Sequence, residues 1–212
     1  MKNVDDLIEG ARELSKRGFS KGEIADQLNV SRETASWLVE RSDAAPPATD
    51  SEEPTGGPHD IHVDWSAIGR DSARLTYAGR AMADLLSKQG EAVDLTVGIE
   101  KAGAPLATVV ARELDTDIGA YAPRKHQWEE GDIDELEGTL SRNFADIRDR
   151  ECYVVDDTIT SGTTMRETIE AIRNRGGEPA ACVVLVDKKG VEEMLGVPVY
   201  SLVQAIRVGD AD

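Results

Sequence analysis

The 212-residue sequence is poor in several features on which particular functions depend. No stretch approaches the roughly 20 consecutive apolar residues that cross a bilayer. The opening Met-Lys-Asn-Val-Asp-Asp has no apolar core of the kind a signal peptide needs. The expectation is a cytoplasmic protein with no membrane partner. Cysteine is confined to Cys152 and Cys182, each inside an apolar run, so neither a disulfide framework nor a cysteine zinc site is available. Both read as buried strand residues. His59, His62 and His126 are too few and too scattered for a metal site, and none is expected. Aromatics make up only 4% of the chain. Basic residues are outnumbered as well: 24 Lys and Arg face 41 Asp and Glu, for a net charge of -17.

That charge excludes a whole-chain grip on nucleic acid by phosphate neutralisation, which needs a basic surface. It suits a cell of high internal salt, where an acidic surface keeps proteins apart. The rest of the composition is ordinary for a globular protein, and the length allows one body with a small unit appended. Residues 43–63 mark the division. They are rich in proline, glycine and acid, have nothing to bury, and read as an extended linker. Residues 1–42 carry a net charge of -1, residues 43–64 carry -6, and residues 65–212 carry -10. Only the N-terminal unit is close to neutral, as a unit that approaches a polyanion should be.

Within that unit, Val4, Leu7, Ile8, Ala11 and Leu14 share one helical face, and Gly18 ends the pattern. Ser20 with Glu23 three residues on is a capping box that opens a second helix, with Ile24, Ala25 and Leu28 inward. Asn29-Val30 makes a turn, and Ser31 caps a third helix with Ala35, Leu38 and Val39 inward. Two short helices joined this way form a helix-turn-helix pattern. The run Glu23–Leu38 resembles DNA-binding helix-turn-helix domains of bacteria and archaea. That resemblance implies DNA contacts from Ser31, Arg32, Glu33 and Ser36 to base edges, with Thr34 and Trp37 nearer the backbone. Arg32 is the strongest candidate, since arginine reads guanine bidentately. A three-helix interaction or dimerisation unit is the other reading.

From residue 64 on, amphipathic helices alternate with Val- and Ile-rich strands. Helices are expected at 72–89, 105–114 and 163–175, and strands at 94–99, 118–122, 152–157 and 180–186. This is an α/β pattern with a mainly parallel sheet flanked by helices. One motif stands out: Val154-Val155-Asp156-Asp157-Thr158-Ile159-Thr160-Ser161-Gly162-Thr163-Thr164. An apolar strand ends in two acids, and a glycine and hydroxyl loop then opens a helix. Loop amides at a helix N-terminus cradle phosphate, and adjacent carboxylates accept hydrogen bonds from a vicinal diol.

This run resembles the 5-phosphoribosyl 1-pyrophosphate (PRPP) motif of type I phosphoribosyltransferases, the orotate enzymes in particular. The resemblance covers most of residues 65–205. It implies that Asp156 and Asp157 hold ribose hydroxyls, and that Thr160, Ser161, Gly162, Thr163 and Thr164 hold the 5-phosphate. Gly98 to Ala107 resembles the family's pyrophosphate loop, with Lys101 for the diphosphate. Orotate enzymes usually place that lysine directly before the glycine, whereas here Ala102 intervenes. Magnesium is implied only as the companion of a diphosphate ligand, and no cofactor is required.

The family's mobile catalytic loop is matched at its start by Arg124 and Lys125. No further lysine follows before residue 188, and the region holds seven carboxylates (129, 130, 132, 134, 135, 137 and 146). Such charge opposes the stabilisation that departing pyrophosphate needs. His126 reads as a loop histidine. If turnover occurs, Lys125 and Asp157 are its candidates.

The whole arrangement resembles the GfcR regulators of haloarchaea. That implies a helix-turn-helix head at residues 1–42 and a phosphoribosyltransferase-like sensor at 64–212. It also implies a homodimer, a phosphosugar or nucleotide effector, and control of sugar-metabolism genes through promoter DNA. The alternatives are a working orotate or purine phosphoribosyltransferase with an accessory domain, and a body retained only for dimerisation.

Overall fold

The computed structural model describes residues 4–43, 60–89, 92–123 and 139–205. The chain divides into two compact units, Met1–Asp64 and Trp65–Asp212.

The first unit holds α1 (Val4–Lys16), α2 (Lys21–Leu28) and α3 (Arg32–Asp43). Ala11, Ile24, Ala25, Val30, Ala35 and Leu38 are buried together at its centre. The capping box is formed in full: the Ser20 hydroxyl accepts from the Glu23 amide, and the Glu23 carboxylate accepts from the Ser20 amide. Asn29 takes the left-handed conformation at φ 52° and ends α2, a position asparagine tolerates better than most residues. Val30, 3% exposed, plugs the turn. Ser31 caps α3 by accepting from the Thr34 amide at 3.1 Å.

Residues that follow the proline-rich stretch return to this unit. The Asp60 carboxylate accepts from the Ser31 amide at the start of α3. Asn29 Nδ2 donates to the Val63 carbonyl at 3.2 Å. A carboxylate at a helix N-terminus is held both by the unsatisfied amide and by the helix dipole.

The second unit starts with the short α4 (Ser66–Gly69) and α5 (Ser72–Gln89). It continues through β1 (Leu95–Ile99), α6 (Gly103–Leu114), β2 (Asp117–Ala122), β3 (Thr139–Leu140) and β4 (Glu151–Ile159). Last come α7 (Thr163–Asn174), β5 (Glu178–Asp187), β6 (Glu193–Met194) and β7 (Val197–Gln204). Among the described residues the strand order is β3-β2-β1-β4-β5-β7-β6. The inner strands β2, β1, β4, β5 and β7 are parallel, and the two-residue strands β3 and β6 pair antiparallel at the ends.

Strict alternation along the central strands explains why they look apolar throughout. Cys152, Val154, Cys182 and Val184 face the layer that contains Met165, Ile169 and Ile172 of α7. Tyr153, Val155, Ala181 and Val183 face Met82, Leu86, Leu106 and Val110 of α5 and α6. Strands covered on both sides have no polar face to show, so polar chemistry is confined to their ends. Among the described residues, no helix is long and apolar enough to cross a membrane.

The burial that completes this core also silences its thiols. Removal from water pushes the Cys152 thiol up to about 12, and Cys182, fully buried, is raised as well. At pH 8 and native salt, iodoacetamide should therefore label neither residue, and both should react once denaturant unfolds the body. Stoichiometric labelling of the folded protein, read by mass spectrometry, would contradict this packing.

Candidate phosphosugar site

The order in which strands are added to the sheet reverses between β1 and β4. The chain leaves β1 for β2 on one side, and β4 then enters on the other. A parallel α/β sheet opens a crevice at such a point, beyond the carboxyl ends of the two strands. Here β1 and β4 run side by side, with Gly98 opposite Val155, so the loops that follow them leave as neighbours.

The first loop, Glu100 to Ala102, contains an exposed Lys101 and a cis peptide bond between Glu100 and Lys101. Glycines on either side set its position. A Cβ on Gly98 would lie 2.7 Å from Ala107 Cβ, so α6 can rest directly on β1. A Cβ on Gly103 would lie 2.5 Å from the Val155 carbonyl oxygen and 2.8 Å from Asp156 Cα. The first residue of α6 thus touches the backbone from which the two acids project.

The second loop follows β4. This strand runs on to Ile159, two residues beyond the end expected from its apolar run, so Asp156 and Asp157 still belong to the sheet. Both are half-buried. The Asp156 carboxylate accepts from the Asp157 amide at 2.9 Å. Asp157 Oδ2 accepts from Thr158 Oγ1 at 3.2 Å and from Trp65 Nε1 at 2.9 Å.

Gly162 sits at φ +80° immediately before α7, a left-handed turn that suits glycine. Gly162 has no side chain with which to cap α7, and of the first-turn amides Thr163 N–H donates to Ser161 Oγ while those after it point toward the loop by helix geometry. Ser161 Oγ lies 3.3 Å from the Thr163 amide and 3.1 Å from Thr163 Oγ1. Asp156 and the run from Thr158 through Met165, which includes Thr160 and Thr164, line a single concavity. The structure therefore gathers Asp156, Thr160, Ser161, Gly162, Thr163 and Thr164 around one space. Asp157 adjoins it on the strand, and Lys101 belongs to the neighbouring loop. Lys125 and His126 lie outside the described residues.

A third loop joins from β5, whose Thr158↔Val186 and Ile159↔Asp187 pairing ends level with β4. Lys189 Nζ donates to the Ser161 carbonyl at 3.0 Å, placing a cation on the rim of the hydroxyl loop. Asp187, 1% exposed, holds this turn by accepting from the amides of Lys189, Gly190 and Val191. Sequence reasoning missed Lys189. Its available signal was the pair Lys188-Lys189 directly after a buried strand at the same end of the sheet.

In the N-terminal unit, Arg32 and Glu33 are exposed at the start of α3 and Ser36 is half-buried. Thr34 is turned inward at 9% exposure, because its hydroxyl joins that of Ser31 at 2.8 Å within the cap. Trp37 packs on the core of the unit, with the Arg41 guanidinium 5.1 Å from its ring centre. Of the residues the resemblance assigns to DNA, Arg32, Glu33 and Ser36 are thus the ones not taken up by the fold, while Ser31, Thr34 and Trp37 also serve it.

The phosphoribosyl transferase domain family matches residues 64–208. The transcriptional regulator GfcR of Haloquadratum walsbyi is 72% identical over 214 residues, covering 100% of this chain and 96% of the relative. This chain belongs to the GfcR family. The GfcR of Halorubrum lacusprofundi is 73% identical over 209 residues, covering 98% of each chain. Among solved structures, orotate phosphoribosyltransferase from Aeropyrum pernix matches with a TM-score of 0.56 at 21% identity. The match covers 70% of this chain and 81% of that one. It shows the fold, so the body of this GfcR-family chain is the expected α/β, type I phosphoribosyltransferase-like architecture.

The contact between α6 and β4 gives a direct test of how the site is built. Gly103→Ala should cost about 1–3 kcal/mol of stability, because backbone and not a flexible side chain must yield. Denaturant unfolding measures this, and an unchanged midpoint would mean that α6 and β4 separate without cost.

Proposed function

We propose that this chain is a DNA-binding transcriptional regulator, with the N-terminal helices as its reading head and the phosphoribosyltransferase-like body as its sensor. The observation that carries the reading is a conjunction. Two short helices joined at Asn29–Val30, and a strand end with two carboxylates and a hydroxyl loop, occur in one chain, which relatives named transcriptional regulators match along its whole length.

In this reading α3 enters the major groove. Arg32, Glu33 and Ser36 face base edges, and Ser31, Thr34 and Trp37 fix the helix against its own unit and the phosphate backbone. The effector is PRPP or another phosphorylated sugar or nucleotide. Asp156 and Asp157 accept hydrogen bonds from its ribose diol. The amides at the start of α7, with Thr160, Ser161, Gly162, Thr163 and Thr164, receive its phosphate. Lys101 and Lys189 supply positive charge on opposite sides of the cradle. Magnesium would arrive bound to a diphosphate. The donors at the strand end, carboxylates and hydroxyls, are all oxygen and suit it, while no cluster of three His, Cys, Asp or Glu able to cage a metal occurs among the described residues.

The protein acts as a cytoplasmic homodimer, and its two-fold symmetry calls for a palindromic operator with half-sites about one helical turn apart. Its targets are genes of central sugar metabolism. The intact cradle also supports a second reading, an orotate or purine phosphoribosyltransferase with an accessory head. Against it stands the shortage of lysine after Lys125.

Binding to genomic DNA fragments in molar potassium chloride, with and without PRPP, tests the proposal. Selective binding should appear, and Arg32→Ala should weaken it by about 1–3 kcal/mol and relax specificity at one base pair. PRPP should change the affinity of the parent protein and not that of the Asp156→Ala, Asp157→Ala double variant. No selective binding in either condition would favour the enzyme, to be assayed with orotate, purine bases and PRPP. Regulation unaffected by the double substitution would reduce the body to a dimerisation platform.

A further inference from the structure

We propose that Trp65 is a built-in occupant of the sugar site, and that a ligand's ribose hydroxyls displace its indole from Asp157. The inference rests on the phosphosugar reading of Asp156 and Asp157 and adds to it the residue that reports occupancy.

Trp65 Nε1 donates to Asp157 Oδ2 at 2.9 Å across 92 residues of sequence. Thr158 Oγ1 donates to the same oxygen at 3.2 Å. A carboxylate oxygen has two lone pairs, so these donors fill Oδ2. A hydroxyl that reaches this oxygen must replace one of them. Thr158 is the next residue on β4 and moves only with the sheet. Trp65 comes from outside the sheet and is the partner able to leave.

Core packing does not account for the position of this ring. Trp65 belongs to neither hydrophobic cluster of the body. The ring instead lies on Gly69, where a Cβ would come within 2.5 Å of its Cζ3 atom. An indole offers one N–H donor and no acceptor, and a partly buried one seeks an acceptor. Asp157 is where this one finds it.

Trp65 is also the first residue of the second unit. Two residues earlier, the Val63 carbonyl accepts from Asn29 at the turn between α2 and α3. Three residues before that, Asp60 accepts from the amide of Ser31 at the start of α3. Only Asp64 separates the residue held by the sugar site from a residue held by the reading head. Release of Trp65 therefore acts on the segment that anchors α3.

The test uses the full chain labelled with 15N, in which the three tryptophans give three indole N–H signals, and Trp65→Phe identifies one of them. PRPP with magnesium is the probe, and calorimetry measures its affinity. Saturating PRPP should move the Trp65 signal, and Asp157→Ala should move it in the same direction without ligand. Trp65→Phe removes a competitor for a charged acceptor and should tighten PRPP about tenfold. Gly69→Ala pushes the ring without deleting it and should also tighten PRPP, which keeps the test decisive if Trp65→Phe fails to fold.

The DNA response to PRPP should be lost in Trp65→Phe. PRPP binding with equal affinity to parent and variant, with the indole signal unmoved, would overturn the role of Trp65 and leave the site reading intact. Absence of PRPP binding to every form would overturn the site reading and this inference with it.

Discussion

Gly103 lies against the backbone of Val155 and Asp156 too closely for any side chain to intervene, and the candidate site depends on that contact. Because α6 begins there, the loop bearing Lys101 is held beside the strand that bears the two acids. Gly98, one turn of chain earlier, brings the same helix down on β1. Parallel pairing then carries the arrangement outward, since β4 sets the level at which β5 ends and the Lys189 turn begins. The Lys101 loop, the acid-bearing end of β4 and the Lys189 turn thus share one backbone frame, in which a change at either glycine reaches all three.

The acidity of the chain poses a separate problem, which the division into two units helps to resolve. Counterion release drives most protein–DNA affinity at low salt and fades steeply as salt rises. A protein working in concentrated salt gains little from a basic surface and must rely on base contacts, shape and apolar area. A near-neutral head on a strongly acidic body fits that regime. It places Arg32 at the exposed start of a helix and leaves the body to manage solubility.

Much of this architecture was legible in the sequence because the relevant signals are local. The Ser20–Glu23 box spans four residues, and the motif from Val154 to Thr164 holds strand, acids, turn and helix start in eleven. The short edge strands and β7 were not foreseen. Two-residue strands have no period to detect, and Pro198 breaks the donor pattern a strand normally presents. Contacts formed across the fold were equally hidden. Nothing in the neighbourhood of Trp65 announces Asp157, and no spacing rule links Lys189 to the Ser161 carbonyl or Asp60 to Ser31. Thr34 adds a hydroxyl bound within its own helix cap, a contact that the resemblance to DNA-binding domains does not reveal.

The return of residues 60–63 to the first unit puts the boundary between the units at a single residue, Asp64. Asp60 is held at the N-terminal end of α3, a 12-residue helix of about 18 Å, so the chain that leaves α3 at its far end comes back to its start. Val63 is bonded within the first unit and Trp65 within the second, with Asp64 alone between them. A residue inserted beside Asp64 would therefore fall between two hydrogen-bonded anchors, Asn29 to Val63 and Trp65 to Asp157, with only Asp64 between them to take it up.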